Sequence, residues 1–196
     1  MDWSLSGNSG TTIGTDFLGT TDNVGLMFKV NNQQAGFIDL DGSSSLHNTF
    51  FGLQAGQSVT TGKWNVGIGK QSLKALTTGT ANTAVGLDSL LSNTSGEGNT
   101  AIGEDSMFCN TTGNNNVAIG IHALYENTTA NDNLAIGRSS LRFTTTGSYN
   151  VGIGASALYN NTTGHDNTGV GQGAGVGITT GNVFTLVIND IFQLIL

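Results

Sequence analysis

The chain has 196 residues, of which 10% are charged and 37% hydrophobic, with 30 glycines, no proline and a net charge of −7. That apolar content argues against simple disorder, and six Lys and Arg scattered from Lys29 to Arg142 argue against a nucleic-acid partner, which needs clustered cations. A single cysteine, Cys109, permits neither an intrachain disulfide nor a cysteine-based metal site.

The opening "MDWSLSGN" has neither the basic nor the apolar region of a signal peptide. No apolar run reaches the roughly 18 residues of a membrane helix, so no membrane insertion is expected. A role outside the cell would need export by another route, or a longer parent chain. Residues 1–47 do not share the pattern of the remaining chain. Within them "GLMFKVNNQQAGFIDL" reads as a hairpin, two apolar strands joined through "NNQQ". A small β cap is expected here, because the end of a stacked structure is otherwise an open strand edge.

From residue 48 the sequence repeats every 17 residues without insertion. Asparagine recurs at Asn48, Asn65, Asn82, Asn99, Asn116, Asn133, Asn150 and Asn167. Glycine comes four places later at Gly52, Gly69, Gly86, Gly103, Gly120, Gly137, Gly154 and Gly171. The consensus, N-x-[AG]-[IV]-G-x-x-[SA]-L-x-x-x-T-T-G-x-x, runs through eight copies over 48–183. A period this short cannot hold a helix pair, so each copy is expected to be one coil of a β-solenoid. The "NTAIG" segment alternates as a strand, and the "SL" segment is expected to be a return strand. "TTGxxN" is turn chemistry. At about 4.8 Å per coil, eight coils make a rod of roughly 40 Å, and asparagine over asparagine would form a side-chain ladder. Each coil offers few large apolar side chains, for example Ile102, Met107 and Phe108. Further burial against another chain is therefore expected, with the Ala/Gly face of the "NxAxG" strand as the contact.

Residues 184–196 break the register. Phe184 stands where Asn is due, and "FTLVINDIFQLIL" is strongly apolar. It is a cap, an assembly contact or a truncated end.

These repeats resemble the left-handed β-roll head repeats of trimeric autotransporter adhesins. They are closer still to related repeats in phage tail fibres and tail-fibre-like bacterial surface proteins. The resemblance spans residues 48–183, and segment 3–40 looks like the lead-in of such fibres. It implies an all-β homotrimer, an extended shaft on a virion, tail-like particle or cell surface, an adhesive or host-recognition role, and no catalysis or cofactor. A self-assembling filament joined through the apolar C-terminus is the alternative, and an ice- or ion-binding solenoid a lesser one.

No catalytic constellation emerges. His47, His122 and His165 fall at different places relative to the repeat, and "GIGKQS" at 67–72 lacks the spacing of a phosphate loop. Asp88, Asp105, Asp132 and Asp166 occur singly, unlike a calcium β-roll. "NTS" at 93–95 and "NTT" at 110, 127 and 161 match glycosylation sequons but arise from the repeat and read as turns. Cys109 reads as a half-buried small hydrophobe. The most variable positions are the last two of each copy, expected on a surface turn. Among them Trp64 and Tyr149 could stack on sugar rings. Ice binding would need two outward threonines on one face, whereas those of "TTG" are adjacent and point apart.

Overall fold

A computed structural model describes residues 25–38 and 46–187. It is a β-solenoid of eight 17-residue coils with an antiparallel hairpin at its N-terminal end. The hairpin is β1 (Leu26–Val30) and β2 (Gln33–Ile38), turning on Asn31 and Asn32, both left-handed at φ 49° and 58°. That is a two-residue turn of the mirror-image kind, which matches strand twist and which Asn tolerates. β2 pairs antiparallel with β3 (Thr49–Phe51), so the hairpin covers the edge of the first coil as a cap should.

Each further coil contributes one three-residue strand. These are β4 (Val66–Ile68), β5 (Thr83–Val85), β6 (Thr100–Ile102), β7 (Val117–Ile119), β8 (Leu134–Ile136), β9 (Val151–Ile153) and β10 (Thr168–Val170), with β11 (Thr185–Val187) after them. From β3 onward all pair in parallel and in register, Ala101 on Ala118 and Ile102 on Ile119 for instance, giving a single 11-stranded sheet in chain order.

The expected return strand is not there. Its place is taken by a turn-rich segment in which alternate residues are left-handed, such as Asp105 at φ 53° and Met107 at φ 53°. Coil-to-coil hydrogen bonding continues through it: Leu90 N–H donates to Ser106 O at 3.0 Å, and Ser92 N–H to Phe108 O at 3.2 Å. Left-handed backbone costs a leucine roughly 1–2 kcal/mol, but it turns the Leu73, Leu90, Met107, Leu124, Leu141 and Leu158 side chains inward, where all are fully buried. Sequence patterning could not distinguish this from a strand, because both alternate with period two.

The leucine file faces the middle residue of each strand, Ala84, Ala101, Ala118 and Ala135 among them, all fully buried within one chain. The small face therefore belongs to the coil's own interior, and the expectation that it contacts another chain is corrected. Ile102, counted among the core, projects outward, while Phe108 is half-buried. The repeat glycine closes each strand. A Cβ built on Gly120 (φ 135°) would stand 2.7 Å from the carbonyl carbon and oxygen of Gly137 in the next coil.

The remaining interior is polar. Asn116 Nδ2 donates to Asn99 Oδ1 at 3.1 Å and to Ala130 O at 2.8 Å, while its Oδ1 accepts from Asn133 N at 3.0 Å and Asn133 Nδ2 at 3.2 Å. The same set recurs from Asn65 to Asn150, so the amide's two protons and two lone pairs are all used without water. A second file, Asn93, Asn110 and Asn127, is equally buried.

Candidate functional site

With glycine, asparagine, alanine and leucine spent on the interior, function must lie on outward files of side chains that run along the rod. Three of them stand out.

The first is the outer face of the sheet. Position four of each coil points away from the core, so Phe51, Ile68, Val85, Ile102, Ile119, Ile136, Ile153 and Val170 form a continuous apolar file, aliphatic from Ile68 onward. Ile68, Ile102, Ile119 and Ile136 are strongly exposed for isoleucine, from 36% at Ile136 to 44% at Ile68. The half-buried Val66, Val117, Leu134 and Val151 lie beside the file at position two, and the exposed Leu53, Leu87 and Ile121 at position six. An apolar surface this long and regular is unusual on a lone soluble chain. Sequence reasoning assigned the contact face to the small residues instead. The alternation was readable, but which of two opposite faces turns inward was not.

The second file is at the turn. The first threonine of "TTG" is tied into the stack: Thr77 Oγ1 donates to Thr94 O at 3.0 Å, and Thr111 Oγ1 to Thr128 O at 3.0 Å. The second is exposed in every coil, as Thr61, Thr78, Ser95, Thr112, Thr129, Thr146, Thr163 and Thr180, and none of these hydroxyls hydrogen-bonds within the described residues.

The third file is the last position of each coil, which holds Trp64 and Tyr149, each 60% exposed. Both sit in left-handed backbone, at φ 57° and 61°. They share one file but are five coils apart, about 24 Å. Between them stand Ala81, Gly98, Asn115 and Asp132, all exposed.

The titratable groups gather elsewhere. Asp88, Asp105 and His122 succeed one another at position seven, His122 Nε2 lying 3.4 Å from Asp105 Oδ2. Burial pushes the Asp88 carboxyl above its ordinary value, with Asp105 and Glu104 adding and Lys70 and Lys74 opposing. Burial likewise raises the half-buried Cys109 thiol, reinforced by Glu126 and Asp105. His165 Nδ1 meets Asp166 Oδ2 at 2.6 Å on the surface. Among the described residues no three His, Cys, Asp or Glu are grouped to hold a metal ion. Phe108 and Tyr125 stack at 5.2 Å, and the Arg142 guanidinium lies 5.4 Å from the Tyr125 ring, so these faces are turned to one another along the rod. The sequon asparagines Asn93, Asn110, Asn127 and Asn161 are fully buried, closed to a glycosyltransferase in the folded coil.

Comparisons with protein-family models, curated proteins and solved structures give no match. No helix among the described residues is long and apolar enough to cross a membrane.

Proposed function

We propose that this chain is the shaft of a trimeric adhesive or receptor-recognising fibre, carried on a phage tail, a tail-like particle or a bacterial surface. The observation that supports it is the aliphatic file at position four. Isoleucines exposed coil after coil on a rod are a cost to a monomer in water and an asset at an axis shared by several copies. With a parallel, unstaggered arrangement each coil would meet its equivalents, so the in-register files would pack continuously. The mechanism is display: a stiff rod holds a recognition surface away from its base, and copies of one weak site gain avidity.

Light scattering over a concentration series tests this. The expected mass is three times 20.1 kDa, or 60.3 kDa. Ile119→Asp, at the centre of the file, should yield monomers whose coils remain folded. A wild-type monomer at all concentrations would overturn the proposal. A mass that climbs with concentration would instead favour end-to-end filaments.

A further inference from the structure

Every near-invariant position of the repeat but two has a visible reason inside the chain. Asparagine fills the buried ladder, glycine avoids the next coil's carbonyl, and the first threonine bonds the next coil. Position four has the oligomer proposed above. Position fourteen has nothing. It is exposed, its hydroxyl has no partner among the described residues, and yet it is Thr in seven coils and Ser in one, while the outward sixth position runs through Leu, Lys, Glu, Ile, Arg, Ala and Gln. The exception is informative. Ser95 keeps the hydroxyl and drops the β-branch, so the hydroxyl is what all eight coils share.

We infer that this file, with the flanking aromatics Trp64 and Tyr149, binds a linear, uncharged polysaccharide lying along the rod. The inference rests on the reading of the chain as an adhesive fibre and names the ligand of its shaft. A single file of hydroxyls at about 4.8 Å intervals matches a line of hydrogen-bonding groups, not a plane. An extended glycan of pyranose rings has a comparable repeat and offers hydroxyls throughout its length. The stiff ladder holds the file in place before binding, which limits the entropy cost. Two exposed aromatic rings about 24 Å apart, three positions after the hydroxyls in their own coils, give stacking platforms for a segment of about five sugars. Net charge of −7 disfavours an anionic polymer.

The test is co-sedimentation of the full chain with chitin and with cellulose particles, and calorimetry with their soluble oligomers of two to eight units. Wild type should bind at least one of the two polymers, with affinity rising to about five units and then levelling. T112V/T129V/T146V keeps the β-branch and removes three hydroxyls, and should weaken binding at least ~10-fold. W64A and Y149A should each weaken long oligomers more than short ones. Scattering on every variant separates these results from a change of oligomeric state. Binding to neither polymer overturns the assignment, as does undiminished binding by the triple valine variant. Hydroxyl-dependent adsorption to growing ice, without polysaccharide binding, would also overturn it, in favour of an ice lattice.

Discussion

The second asparagine file is interrupted, and the interruption can be repaired. Asn110 Nδ2 donates to Asn93 Oδ1 at 3.0 Å, and Asn127 Nδ2 to Asn110 Oδ1 at 2.8 Å. The next coil has Thr144, fully buried, and there the file breaks. Asn127 Oδ1 is left buried with no partner, while Asn161 Nδ2 reaches Thr144 Oγ1 only at 3.5 Å. Thr144→Asn keeps the side-chain volume nearly unchanged. It supplies a donor to Asn127 Oδ1 and an acceptor to Asn161 Nδ2. A buried unsatisfied oxygen costs roughly 1–3 kcal/mol and a hydrogen bond contributes about 1 kcal/mol net, so a gain of about 1–2 kcal/mol is expected. Urea unfolding at fixed protein concentration would read it as a raised midpoint, and hydrogen exchange would place the added protection around residues 127–145. The same substitution made in an Asn127→Ala background should gain nothing, because the waiting acceptor is gone. A variant no more stable than wild type, or an equal gain in both backgrounds, would refute the reasoning.

Gly120→Ala should lose at least ~3 kcal/mol of stability by the same unfolding measurement, since its Cβ meets backbone of the next coil and φ 135° is closed to alanine. A carboxyl raised in the fold, as Asp88 is, binds its proton more tightly folded than unfolded. Stability therefore falls as pH climbs from the ordinary carboxyl value through the raised one. Asp88→Asn should remove that fall and be the more stable form at pH 7, as a pH series of midpoints would register. Finally, Gly56 replaces leucine in the first coil because the Phe50 ring occupies the space where its Cβ would be. Phe50→Ala should cost about 3–5 kcal/mol by opening a cavity, and adding Gly56→Leu should recover most of it, since Leu73 already adopts the needed φ of 52° one coil on.

The period, the coil count and the asparagine ladder are legible in the sequence because each leaves an identity at fixed spacing, and the hairpin because Asn31 and Asn32 interrupt two apolar runs. What the sequence hides is direction. "NTAIG" fixes that Ala101 and Ile102 face oppositely, but not that alanine goes inward. The answer depends on the leucine file across the coil, whose bulk leaves room only for a small neighbour. That file is itself hidden, because a residue such as Leu124 at φ 50° defies its own preference and mimics a strand in pattern. Trp64 and Tyr149 are visible as exposed aromatics, whereas the unpartnered hydroxyls of Thr112 or Thr129 show only once Thr111 and Thr128 are seen to use theirs.

The interior also explains why the surface is free to specialise. Its apolar part is mostly leucine and alanine, which reward burial but not register. Its polar part is mostly asparagine, whose amide is satisfied only when the neighbouring coil is neither shifted nor omitted. A slip of one residue would strand a donor and an acceptor in every coil, so the ladder fixes the 17-residue rise that all outward files inherit. Side chains at positions four and fourteen are consequently placed at equal intervals by bonds in which neither takes part. The aliphatic file sits on the sheet and the hydroxyl file on the turn that precedes it, so copies could join along one while the other stays open to a ligand. Each copy then adds a parallel track, and a polymer held weakly at each coil would be held firmly by the rod as a whole.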